Sequence, residues 1–270
     1  MRRLICSLEH IFPNNFRQLA LGSPADPSRL ANFVHGILNR IPGERVACLP
    51  CKGVLQGCSM KIDWACHRSY IYGVWEPEVV SALQEVVRPG CFAIDAGAHI
   101  GFFTLILSRL VGPAGRVIAF EPLPWNFSVL NYNVRINRCS NVDTVDKALL
   151  DRKCELVANL PDDQPLPVGA GFSPSGGKEP ITVDAVSLDD FLHDRQSRLH
   201  LIKVDVEGSE LLVLRGACRT IETYHPTMII EVHHFDSSPD ASPAVDQIRA
   251  WGYEIRWLSR RKLTSHLLAI

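Results

Sequence analysis

From Cys91 onward the chain alternates short apolar runs of strand length with helix-length segments, and that alternation leaves few folds open. Apolar strands joined through helices must be buried on both faces, which predicts an α/β architecture with a mostly parallel sheet between helical layers. The strand-like runs are Cys91 to Asp95, Val117 to Phe120, Val142 to Val145, Leu199 to Asp205 and Met228 to Val232. Helices are predicted over about Ile100 to Val111, Trp125 to Asn137, Ser209 to Glu222 and Ala244 to Trp251. A further helix precedes them, with Pro77 at its first position and Val79, Val80, Leu83, Val86 and Val87 at helical spacing before Pro89-Gly90 stops it. Two closing strands, Tyr253 to Leu258 and His266 to Ala269, are joined by the short turn Ser259 to Lys262. So short a link favours an antiparallel pair, because a parallel crossover needs a dozen or more residues.

Residues 77–270 thus make one α/β domain. Residues 1–76 carry no core pattern of their own and read as an extension, a lid or substrate-side segment. Within it, Met1 to Arg40 looks helical in pieces, and Val46 to Leu49 and Gly53 to Leu55 look β-like. Pro161 to Pro180 is rich in Pro and Gly and reads as a long loop. With 46% hydrophobic and 21% charged residues, disordered, collagen-like and coiled-coil classes are excluded. A formal charge of -1 provides no overall attraction to nucleic acid or an anionic membrane. The start, Met1 to Phe12, is interrupted by Glu9 and His10 before a signal-peptide apolar region develops, and no run approaches a membrane span. A cytoplasmic protein is expected. Its nine cysteines are scattered and odd in number, unlike a secreted disulfide scaffold. Cys48, Cys51, Cys58 and Cys66 with His67 cluster, but only the first pair has zinc-ligand spacing, so no metal is assigned.

The segment Asp95-Ala-Gly97-Ala98-His99-Ile-Gly101 sets a glycine-bearing loop between a strand and a helix, where backbone approaches a ligand closely. Glu121 ends the next strand, placed to accept hydrogen bonds from ribose hydroxyls. A dinucleotide fingerprint would read Gly-x-Gly-x-x-Gly around an anionic pyrophosphate. Here the glycines are spaced Gly-x-x-x-Gly behind a carboxylate, Asp95, which repels phosphate and favours a cationic nucleoside such as S-adenosylmethionine.

The run Lys203-Val-Asp205-Val-Glu207-Gly208-Ser-Glu210 follows. By strand period Lys203, Asp205 and Glu207 share one side, at the switch point beside the Asp95 loop. Glu231 and His233 lie on the next strand, where His233 could serve as a general base. Asp205, Glu207, Glu231 and His233 would suit magnesium better than zinc, but nothing in the sequence sets a coordination geometry.

Taken with Gly73-Val-Trp-Glu-Pro-Glu78, Ala119-Phe-Glu121-Pro122-Leu-Pro124, Asn133, Asn137, Ala148, Ser187-Leu-Asp189 and Leu214-Arg-Gly216, these motifs resemble the FkbM-type methyltransferases over about residues 73–235. The resemblance implies a class I, Rossmann-like methyltransferase fold, S-adenosylmethionine as donor, and O-methylation of a sugar or small natural product. It also implies a cofactor-contacting set of Asp95, Gly97, Ala98, His99, Gly101, Glu121, Pro122, Asp146 and Ala148. The glycine loop would surround the methionine end, Glu121 would take the ribose, and Asp146 to Ala148 would lie near the adenine. His99 stands where the family commonly has Asn. The candidate catalytic residues are Lys203 if neutral, Glu207 and His233 as bases, with Asp205 orienting the acceptor or holding the cofactor. The expected partner is a small-molecule acceptor, with no nucleic acid and no membrane, and the oligomeric state is open. A non-catalytic adenosine-ligand module and an NAD-dependent oxidoreductase are the alternatives. The turn Ser259-Arg-Arg-Lys262 reads as a solvent-facing basic patch.

Overall fold

The computed structural model describes residues 46–158, 181–193, 197–234 and 238–270. The helical pieces expected over Met1 to Arg40 and the loop expected over Pro161 to Pro180 lie outside them. The chain divides into two compact units, Met1–Pro77 and Glu78–Ile270. In the first, β1 (Val46–Pro50) and β2 (Ser59–Asp63) form an antiparallel pair, followed by α1 (Trp64–Tyr72). Gly53–Leu55 is a 3-10 turn and not a strand: Gly53 at φ 61 and Gly57 at φ 92 turn the chain, and the partner of β1 is formed only after Gly57.

The second unit is entered on α2 (Pro77–Val86) and is built around β3 (Phe92–Ala96), α3 (Phe102–Val111), β4 (Arg116–Phe120), α4 (Pro124–Ile136) and β5 (Val142–Val145). There follow β6 (Ala148–Leu150), β7 (Cys154–Ala158), β8 (Ile181–Ser187), α5 (Leu188–Leu192), β9 (Leu201–Val204), α6 (Glu210–Gly216) and α7 (Cys218–Tyr224). The unit closes with β10 (Thr227–His233), α8 (Pro243–Ala250), β11 (Ile255–Arg260) and β12 (Thr264–Ala269).

Seven strands lie in the order β11-β12-β10-β9-β3-β4-β5. The pairs from β10 to β5 are parallel, and β12 runs antiparallel to both β10 and β11. This is the α/β arrangement expected, including the antiparallel last strand. Every residue of β3 and β9 is buried, as central strands with helices on both faces require. The core joins Ile94, Ile118, Ile202, Val204, Ile230 and Leu267 from five strands to Val213, Leu214, Val245 and Ile248 from α6 and α8.

Three differences from the sequence reading have physical reasons. The helix expected over Ser209 to Glu222 is two helices, broken at Ala217 (φ -113, ψ 10). The second is capped from outside: Asp189 accepts hydrogen bonds from the Arg219 and Thr220 N–H groups and from the Thr220 hydroxyl, at 2.9, 2.8 and 2.7 Å. A small sheet of order β6-β8-β7 was not anticipated, because its strands are short and interrupted in sequence by the segment after Ala158. The basic turn is also not a free patch, since Arg260 pairs with Asp240 at 2.7 Å and Arg261 with Glu78 at 2.5 Å.

Candidate active site

The site forms where the carboxyl ends of β3, β4, β9 and β10 meet, with β3 between β4 and β9 at the reversal of strand order. After Asp95 the chain turns into α3 through Gly97 (φ 79), His99 (φ 51) and Gly101 (φ 95). A Cβ on Gly97 would fall on the Asp205 carbonyl oxygen, so only glycine lets the β3 loop pack against the end of β9. His99 sits in the left-handed region, where His and Asn are both enriched among non-glycine residues, so His in place of Asn keeps the turn.

Four N–H groups of this loop are already donated. Gly97 and Ala98 donate to the Phe120 carbonyl (3.1 and 2.9 Å), His99 to Glu121 Oε2 (2.8 Å) and Gly101 to the Ala98 carbonyl (2.8 Å). A pyrophosphate would need such groups free. Gly97, Ala98, His99 and Gly101 thus have no N–H to offer a pyrophosphate, and the buried carboxylate of Asp95 beside them disfavours phosphate as well.

Asp95 is fully buried and is the register partner of Lys203 across β3 and β9. Its Oδ2 accepts from the Thr104 hydroxyl at 2.6 Å, and its Oδ1 lies 3.6 Å from Lys203 Nζ. Lys203 Nζ also lies 3.2 Å from Asp205 Oδ2, donates to the Gly97 carbonyl at 3.4 Å, and stands 4.9 Å from the centre of the Phe103 ring. Burial would raise the Asp205 carboxyl, but the Lys203 charge, with that of His233, outweighs it and holds it down at about 2. Lys203 Nζ thus lies between two carboxylates, Asp95 and Asp205, a setting that favours the charged amine over a neutral base.

Glu121, buried at the end of β4, accepts from the His99 N–H through Oε2 and from the Leu123 N–H at 3.0 Å and Asn126 Nδ2 at 3.5 Å through Oε1. Burial nevertheless pushes its carboxyl up to about 7, against the opposing effect of those donors. Pro122 follows it, half-buried. Asp146 is exposed just past β5, whereas Ala148 is buried against Leu150 and Ala185 in the small sheet, where its side chain serves packing.

Lys203, Asp205 and Glu207 do not share one strand face. β9 ends at Val204, and Glu207 (φ 53) with Gly208 (φ 98) forms a left-handed turn that brings the Glu207 side chain out, 39% exposed. His233 lies between two carboxylates: Nε2 is 3.2 Å from Glu207 Oε2 and Nδ1 is 2.7 Å from Glu210 Oε1. Burial would lower the imidazole, but hydrogen bonds to Glu207 and Glu210 and the further charge of Glu231 push it up to about 11. Both ring nitrogens of His233 are engaged by carboxylates, which favours the imidazolium and leaves neither nitrogen open to take a proton. Asp205, Glu231 and His233 come within reach of a common point. One of the His233 nitrogens would have to leave a carboxylate to bind a cation there. The cysteine cluster is not among the groups of potential metal ligands found in the described residues.

Two participants were missed in the sequence. Glu210 was quoted only as part of a motif; a carboxylate at a helix start, 4% exposed, needs a cationic partner, and His233 is that partner. Thr104, one helical turn into α3, gave no signal beyond its polarity in an otherwise apolar run.

The switch-point site, the glycine turn and the buried carboxylate at the end of β4 are those of a Rossmann-like α/β fold. The Methyltransferase FkbM domain family model matches residues 95–255, and the chain belongs to this family of S-adenosylmethionine-dependent methyltransferases. Methyltransferase 1 of Beauveria bassiana is 29% identical over 188 residues, covering 61% of this chain and 72% of that protein. The 31-O-demethyl-FK506 methyltransferase FkbM of Streptomyces tacrolimicus is 27% identical over 198 residues, covering 63% and 75%. Among solved structures, methyltransferase FkbM of Methylobacillus flagellatus is similar with a TM-score of 0.47 and 21% identity; the match covers 73% of this chain and about half (51%) of that one.

Proposed function

We propose that the protein methylates a hydroxyl oxygen of a sugar or small natural product, with Glu207 taking the acceptor proton. The observation that carries this reading is the Glu207 carboxylate, presented half-exposed on a left-handed turn beside the glycine loop, while the nitrogens of Lys203 and His233 are held by carboxylates. An oxygen acceptor is also supported by the relative named as a 31-O-demethyl-FK506 methyltransferase.

The residues present suit the cofactor. Glu121 offers a carboxylate whose burial is costly until hydroxyl donors meet it, and Gly97, Ala98, His99 and Gly101 form a tight wall whose own N–H groups are already donated. Asp95 and Asp205 add negative charge suited to a cationic ligand, Asp95 through its field, since its carboxylate is sealed from solvent. When bound, S-adenosylmethionine supplies a methyl group on positively charged sulfur. Glu121 accepts hydrogen bonds from the ribose hydroxyls. Lys203 ties the Gly97 carbonyl, Asp95 and Asp205 into one rigid corner, so the glycine loop and the end of β9 keep their spacing. Glu207 would accept the proton of the attacking hydroxyl as the carbon–oxygen bond forms and the carbon–sulfur bond breaks, the electron pair staying on sulfur and S-adenosylhomocysteine leaving. The net charge of -1 supports a weakly charged small acceptor over nucleic acid or a membrane surface, and the scattered cysteines support a cytoplasmic setting.

The test is transfer of label from methyl-labelled S-adenosylmethionine to a panel of sugar and polyketide hydroxyls. Glu207→Gln should lower kcat by about 100-fold or more, the usual contribution of a positioned base, with affinity for S-adenosylhomocysteine unchanged. Full activity in that variant removes Glu207 from the chemistry. Tight cofactor binding without transfer to any acceptor would favour a binding module.

A further inference from the structure

We propose that Glu210 is a positioning residue: acting through His233, it holds the Glu207 carboxylate in the pose from which it takes the acceptor proton. The catalytic meaning of this rests on the reading of Glu207 given above, but the geometry stands apart from it. The turn carrying Glu207 has two successive positive φ angles, 53 at Glu207 and 98 at Gly208, and a non-glycine residue keeps such a conformation only when its surroundings over-determine it. Glu210, the first residue of α6, provides that constraint twice with one oxygen. Its Oε1 accepts the Gly208 N–H at 2.8 Å, which closes the turn from within, and the His233 Nδ1–H at 2.7 Å. The other ring nitrogen of His233, Nε2, then donates toward Glu207 Oε2 at 3.2 Å. Turn, carboxylate and imidazole form a closed loop anchored on β10.

Glu210 differs from its partner in exposure. Its side chain is 5% exposed against 39% for Glu207, so Glu210 cannot meet an acceptor whereas Glu207 can. The groups facing His233 are Glu207 and Glu210 by hydrogen bond and Glu231 and Asp205 by charge, all acidic. Such a setting keeps the ring cationic and both its N–H groups donating. An anchored imidazolium of this kind supports a neighbouring carboxylate and does not itself abstract a proton.

The experiment is a pH titration of the His233 ring by 15N NMR in the full-length protein, assigned with His233→Gln, alongside calorimetric binding of S-adenosylhomocysteine. In the wild type the ring should stay doubly protonated from pH 6 to pH 9. Glu210→Gln keeps the oxygen that accepts from Gly208 but removes the charge, and should bring the midpoint into that interval while cofactor affinity stays within threefold. On any hydroxyl acceptor from the panel, the same variant should lower kcat at least tenfold without raising KM for the cofactor. Neutral-range titration of His233 in the wild type, or an unmoved ring in Glu210→Gln, overturns the proposal. Should Glu210→Gln not fold, Glu207→Gln removes the other carboxylate and should also lower the midpoint; no change there overturns it equally. Wild-type protein that fails to bind S-adenosylhomocysteine would instead strike the methyltransferase reading, and the ring titration would still decide the role of Glu210.

Discussion

Cofactor affinity should depend on pH through Glu121, and the structure sets both the sign and the size. Its carboxyl is pushed up by burial from 4.5 to about 7. Ribose hydroxyls bind best to the ionised form, because hydrogen bonds to a charged acceptor are the stronger ones. With a midpoint near 7, about nine-tenths of the sites are ionised at pH 8 and about one-tenth at pH 6. Affinity for S-adenosylhomocysteine should therefore fall about tenfold, or ~1.4 kcal/mol, from pH 8 to pH 6. Stability of the unliganded protein should run the other way. The folded state holds a proton that the unfolded state releases above about 4.5, so stability falls as pH rises from 4.5 to 7 and then levels off. The full excursion is at most about 3 kcal/mol. Isothermal titration calorimetry in buffers of different ionisation enthalpy measures both the affinity and the proton released on binding. In Glu121→Gln the slope should vanish. Overall binding should weaken about tenfold at pH 8, because one backbone N–H, of His99 or Leu123, then faces an amide NH2. A flat wild-type profile, or an equal slope in the variant, would refute the assignment of the ribose to Glu121.

Two further outcomes follow from the buried ion cluster and the glycine turn. Lys203→Met leaves Asp95 and Asp205 as uncompensated charges, and should destabilise the protein by about 3–5 kcal/mol, read as a fall in Tm of the order of 10 °C; a Tm within 2 °C of wild type would show that the cluster is not held by charge. Gly97→Ala places a methyl group on the Asp205 carbonyl and should reduce S-adenosylhomocysteine binding by at least about tenfold, which a direct titration checks.

Much of this architecture was legible because buried parallel strands write themselves as apolar runs. The segments around Ile94, Ile118, Ile202 and Ile230 are buried on both faces, so their strand character and their order with the intervening helices could be read directly. The antiparallel closing pair followed from the length of its turn alone. The small sheet was not legible, since Ala148–Leu150 is three residues long and its partner Ile181–Ser187 lies far along the chain. The positions of the candidate site residues were easier to read from the sequence than their surroundings. Lys203 and His233 are basic groups near a cleft in the sequence, but whether such a group is a free base or a clasped cation depends on neighbours brought in from other strands. Asp95 reaches Lys203 through strand register, and Glu210 reaches His233 across the gap from α6 to β10. Periodicity also misplaced Glu207, because β9 ends at Val204 and Glu207 itself opens a turn of two residues with positive φ.

The proposed placement of S-adenosylmethionine is over the β3 loop, with its ribose on Glu121 and its methyl group directed toward Glu207. A crystal structure with S-adenosylhomocysteine tests this most directly. The ribose hydroxyls should donate to the Glu121 carboxylate, and the sulfur should face the side of the cleft formed by Glu207 and the His233 ring. A nucleoside bound away from Glu121, or a sulfur facing away from the Glu207 turn, would rule that placement out.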